Sequence, residues 1–93
     1  ETEDSEQNTL SVCYSLLGVV FGEQKDTIKA EKYQNLGVNI AKKSGDIKAI
    51  LYTLLAHSYT FGLMDKPAQS NTCLIEAVEF LDAFEKLSSP IKL

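Results

Sequence analysis

Tyr14-Ser15-Leu16-Leu17-Gly18-Val19-Val20-Phe21 recurs 38 residues further on as Tyr52-Thr53-Leu54-Leu55-Ala56-His57-Ser58-Tyr59. Each copy sets an aromatic, a leucine three residues on, a very small residue beside it, and a second aromatic. Nine residues after each second aromatic stands an alanine, Ala30 and then Ala68. Self-similarity at a fixed period comes first in reading a chain, because it changes the fold assignment of everything around it. Within each copy the repeated positions fall at steps of three and four, the spacing of one helix face.

Working outward, residues 1–8 form an acidic lead without apolar spacing and are expected to be flexible. A first helix is expected from Asn8 or Thr9, with Leu10, Cys13, Tyr14, Leu17, Val20 and Phe21 as its apolar face. Asp26 is a good N-cap for a second helix over about Thr27 to Lys43, because its carboxylate accepts free amides of the first turn. Lys42 and Lys43 oppose the dipole of the last turn. Ser44-Gly45-Asp46 reads as a stop followed by a start: Gly45 takes a left-handed cap and Asp46 caps a third helix to about Thr60. Phe61-Gly62-Leu63-Met64 reads as an apolar loop. Asp65 is expected to cap a fourth helix running to about Lys86, with Pro67 in the first turn, where its missing amide costs nothing. Ser88-Ser89-Pro90 ends that helix.

No segment alternates as a strand does. Short connections between helices make antiparallel neighbours. The expected fold is all-α, two antiparallel helical hairpins, with repeats at 11–48 and 49–86 inside a domain spanning 9–86. Residues 87–93 are a tail or the start of a further repeat.

The matched residues Tyr14, Leu17, Gly18, Phe21 and Ala30, with their echoes Tyr52, Leu55, Ala56, Tyr59 and Ala68, resemble the tetratricopeptide repeat. That pattern is an aromatic, Leu-Gly, Tyr, then an alanine early in the second helix. The usual unit is shorter, and the turn glycine of the family is replaced by Lys25 and Leu63. The resemblance implies a right-handed α-solenoid fragment and a non-catalytic interaction module whose first helices line a groove for a peptide segment or a helical subunit. It places Val12, Ser15, Val19, Ile50, Thr53, His57 and Thr60 on that groove, with Phe61 beside it and Asn35 and Asn39 on the second helix as ligand-backbone contacts. A peptide-sensing regulatory domain acting on a separate effector is the alternative. Stacking further implies self-association or further repeats of the same parent chain.

Composition narrows the function classes. The chain has 93 residues and a net charge of −4, its nine basic residues are all scattered lysines, and no basic patch suits nucleic acid. Its longest apolar run, Leu16 to Phe21, is far below the roughly 20 residues a membrane span needs. One histidine without HxxxH, CxxC or clustered carboxylates supplies neither a metal site nor a triad, so no metal, no cofactor and no enzyme activity are expected. The two cysteines lie 60 residues apart and read as small buried hydrophobes of a reducing, cytoplasmic setting.

Overall fold

The computed structural model describes residues 2–88, with side-chain surroundings for 5–87. Four helices follow one another: α1 (Thr2–Glu23), α2 (Thr27–Ser44), α3 (Ile47–Leu63) and α4 (Pro67–Ser88). No strand occurs among the described residues. The fold is all-α, two antiparallel hairpins stacked side by side, α1–α2 and α3–α4. Close approaches run α1 to α2, α3 to α4, α1 to α3 and α2 to α3. Asn8 reaches Asp46 at one end of the α1–α3 contact, and Lys25 reaches the Leu63 carbonyl at the other. These ties make α1 and α3 parallel neighbours. The molecule is a slab of 50 × 33 × 14 Å.

Several expectations that rest on local chemistry hold. Asp26 accepts the Lys29 amide at 3.2 Å, and Asp46 accepts the Ala49 amide at 3.0 Å. Gly45 takes φ 74° and returns its N–H to the Ala41 carbonyl. Pro67 opens α4. Lys42 and Lys43 occupy the last turn of α2.

Other expectations are corrected. The first helix begins at Thr2, so the acidic lead belongs to α1. Asp65 does not cap α4; it is the left-handed residue of the turn at φ 57°, matching Lys25 at φ 66°. The apolar loop Phe61–Leu63 is the last turn of α3, held by Phe61 stacking on His57 at 4.4 Å between centroids. The expected end of the fourth helix at Ser89 and Pro90, and the tail up to Leu93, lie outside the described residues.

Extending α3 changes the repeat. Asp26 donates its amide to Phe21, Lys25 to Gly22 and Gln24 to Val20. Lys66 donates to Phe61, Asp65 to Gly62 and Met64 to Thr60. The second turn copies the first at an offset of 40 residues, not 38. Phe21-Gly22 therefore corresponds to Phe61-Gly62, Gly18 to Ser58, Ala30 to Ser70 and Gly37 to Ala77. Burial between the two helices of each hairpin follows this register: Ala68 is exposed, whereas Ser70 and Ser58 exchange hydrogen bonds of 2.9 Å between α4 and α3.

The interior is built from small residues. α1 buries Ser11, Ser15, Gly18 and Gly22, a narrow face beside the large apolar set expected to be core. Leu10, Leu17 and Val20 are exposed, while Tyr14 and Phe21 flank Tyr33 in stacked pairs at 5.8 and 5.6 Å. The physical reason is distance: a β-carbon at Gly18 would lie 2.5 Å from Gln34 Nε2, and one at Gly37 2.5 Å from Ser15 Oγ. Helices this close admit no large side chain between them. The main apolar cluster is Val38, Ala41, Ala49, Ile50, Leu54 and Ala77, with Leu51 and Phe80 against it.

Gly22 and Gly62 give a matched test. At Gly22 an added β-carbon meets Thr60 Cγ2 at 2.9 Å; at Gly62 it meets nothing within 4 Å. Gly62→Ala is expected to stabilise the monomer by about 0.5 kcal/mol through helix propensity. Gly22→Ala is expected to destabilise it, as overpacking does. Urea midpoints of the two variants measure the difference in sign.

Candidate functional site

The joint between the hairpins is polar where most joints are apolar. Gln34, fully buried on α2, donates from Nε2 to the Ser15 carbonyl at 2.7 Å and to Thr60 Oγ1 at 3.0 Å. One amide thereby links α1, α2 and α3. Thr60 Oγ1 in turn donates to the Ala56 carbonyl, and Thr53 Oγ1 to the Ile50 carbonyl. Ser15 Oγ, Gln34 Oε1 and His57 Nε2 are buried without a protein partner.

This arrangement corrects half of the expected groove. Ser15, Ile50, Thr53, His57 and Thr60 are buried in the joint and the core, so they line no groove. Val12 and Val19 are half-buried on α1, Phe61 is half-buried against His57, and Asn35 and Asn39 are exposed on α2. For the α3 residues the error follows from the register, whereas Ser15 is buried by the close approach of Gly37 on α2. Moving Val12 and Val19 forward by 40 residues, rather than 38, gives Tyr52 and Tyr59. Both are exposed on α3 and, with Leu55, form one row. Val12 and Tyr52 share an open cleft of about 420 Å³ with Asn8, Thr9, Asp46, Lys48 and Ala49. The 38-residue offset made Tyr52 and Tyr59 echoes of Tyr14 and Phe21 and left them off the groove; the signal that could have moved them was the Phe-Gly pair at 21–22 and 61–62.

His57 lies where hairpin packing and charge meet. Burial lowers its pKa; the carboxylates of Glu31 and Glu76 oppose this, and Lys42 adds to it. Those two carboxylates are held by salt bridges, Glu31 by Lys66 in the turn before α4 at 2.6 Å and Glu76 on α4 by Lys42 of α2 at 2.5 Å. A lowered pKa means the unfolded chain takes up a proton before the native one does. Stability is therefore full above the unfolded value of about 6.5 and falls as pH drops through the window between that value and the lower native one. His57→Gln is expected to flatten this fall. Thermal melts of both proteins at pH 7.5 and 5.5 check it.

Cys73 is buried, and burial raises its thiol pKa, whereas Cys13 is exposed on the outer face of α1, against the expectation that both are buried. Neither forms a disulfide. Among the described residues no group of three His, Cys, Asp or Glu side chains is placed to hold a metal ion, and no helix is long and apolar enough to cross a membrane. Comparisons with protein-family models, with curated proteins and with solved structures return no match.

Proposed function

We propose that the chain is a non-catalytic interaction module of helical repeats, resembling the tetratricopeptide class, that binds a peptide segment along the face where α1 and α3 lie side by side. The observation that carries this reading is the exposed row Tyr52, Leu55 and Tyr59, running from the cleft that Val12 shares with Tyr52. Rigid aromatics on a helix lose little entropy on binding, and aromatic anchors dominate interface energies. Asp46 and Lys48 at the cleft supply one charge of each sign, so a peptide with apolar anchors and a polar flank fits. The 40-residue register supports the repeat reading: the close-approach positions Gly18 and Gly37 recur as the small residues Ser58 and Ala77.

A peptide-array screen tests this. Tyr52→Arg and Tyr59→Arg are each expected to weaken the selected peptides at least tenfold. Gln69→Arg, on the exposed side of α4, is expected to leave them unchanged. Binding that survives both tyrosine substitutions places the site on another face.

A further inference from the structure

The 40-residue register shows that the domain contains one complete hairpin-to-hairpin joint and, at its two ends, the unmatched halves of another. In the complete joint, the receiving surface of the first hairpin includes Gly22, Gln34, Val38 and Ala41. Gly22 and Gln34 take Thr60, while Val38 and Ala41 cluster with Ala49 and Ile50. Advancing these four by 40 gives Gly62, Leu74, Val78 and Leu81. All are exposed, Val78 at 66%, and a β-carbon at Gly62 would meet nothing. The seating surface of the second hairpin is Ile50, Thr53, His57 and Thr60, all buried. Moving these back by 40 gives Leu10, Cys13, Leu17 and Val20, all exposed.

Positions that are covered inside the molecule are thus open and apolar at its ends. Large apolar residues collected on two such faces mark contact surfaces.

We infer that the chain associates head to tail with second copies of itself. The face of Leu10, Cys13, Leu17 and Val20 seats on Gly62, Leu74, Val78 and Leu81 of the next copy, in the geometry of the internal joint. Charge is mixed at the edges: the Lys25–Leu63 tie steps to Asp65 beside the Glu23 carbonyl, with no cation, and only the other end gains a pair. Asn8 donates to Asp46 across the internal joint at 3.2 Å, and the same step between copies sets Lys48 opposite Glu6. The two lysine–glutamate bridges have no charged counterpart: the step sets Asn71 opposite Asp26 and Asp82 opposite Leu36. Apolar burial therefore carries the contact. A head-to-tail interface uses two different surfaces and does not close on itself in a pair, so assembly runs past two copies, as a filament or as a ring of three or more.

Sedimentation of the intact chain tests the inference. The mean mass is expected to exceed 10.3 kDa and to rise with concentration without a plateau at two copies. Val20→Glu blocks one face and Val78→Glu the other; each variant alone is expected to stay monomeric. An equimolar mixture retains one matched pair of intact faces, so it is expected to give a one-to-one complex of about twice the monomer mass. Leu17→Glu and Leu74→Glu form an independent second pair, and circular dichroism identifies any variant that loses its helices. A wild-type chain that stays monomeric up to hundreds of micromolar would overturn the inference and assign the faces to another occupant. So would a single folded variant that still dimerises, which indicates a symmetric contact, or mixtures of folded variants that remain monomeric. The inference does not rest on peptide binding: a chain that assembles yet ignores every peptide overturns the groove alone.

Discussion

Ala30→Arg is expected to abolish the cooperative fold. Ala30 is fully buried on the face of α2 that also carries Gln34, Gly37 and Ala41. An arginine there must either bury its guanidinium without a partner or force α2 off its neighbours. An uncompensated buried charge costs about 3–5 kcal/mol, and overpacking adds to that. Small domains have about 5–15 kcal/mol of total stability, and a chain of this length sits toward the lower end. The expected result is a far-ultraviolet spectrum of reduced helicity at 25 °C and no sharp thermal transition. A spectrum and melt matching the parent protein would mean that α2 does not approach the first hairpin's interior at this position.

Gly37→Leu is expected to have the second largest effect. A β-carbon at Gly37 would lie 2.5 Å from Ser15 Oγ, 2.8 Å from the Ser11 carbonyl oxygen and 3.2 Å from the Ser15 amide nitrogen. Two of those neighbours are backbone atoms, which cannot swing aside as a side-chain tip can. The leucine must therefore push α1 and α2 apart. Gln34, one turn away, then loses its hold on the Ser15 carbonyl and with it the link to Thr60. Better helix propensity of leucine recovers under about 1 kcal/mol. The net cost is about 3 kcal/mol, a fall in Tm on the order of 15 °C for a domain of this size. Gly18→Ala offers the milder comparison, since its obstacle is the side chain of Gln34 alone.

These two sites show which parts of the fold were legible in the sequence. Helix ends were legible because they are local. Asp26, Asp46 and Gly45 act on amides and carbonyls within a few residues, so their chemistry does not depend on what packs nearby. The buried face of α1 was not legible. Its larger apolar side, Leu10 to Val20, looked like core, yet the narrow side of Ser11, Ser15, Gly18 and Gly22 is what the neighbouring helices touch. Residue size pointed one way and interhelical distance the other, and only the arrangement in space decides between them.

The site suffered from a different ambiguity. Two aromatic–leucine patterns in α3 overlap at slightly different offsets. The offset of 38 matched more residue types, while the Phe-Gly turn at 40 matched the backbone. Phe61-Gly62-Leu63-Met64 was read as an apolar loop, so the last residues of α3 went uncounted. That slip moved Thr53 and His57 onto the groove and took Tyr52 and Tyr59 off it. It also paired Ala30 with Ala68, a residue now found exposed.

The measurement that bears most directly on the repeat, and so on both the groove and the end faces, is the thermal stability of Ser70→Arg set beside that of Ala68→Arg. Ser70 sits half-buried and doubly bonded to Ser58 at the place that Ala30 takes in the first hairpin. Its replacement by arginine is expected to lower Tm by about 10 °C or more. Ala68→Arg, on an exposed turn of α4, is expected to stay within about 4 °C of the parent, the range of surface substitutions. A chain destabilised by arginine at position 68 and indifferent to it at position 70 would contradict the 40-residue register and the assignment of every surface that depends on it.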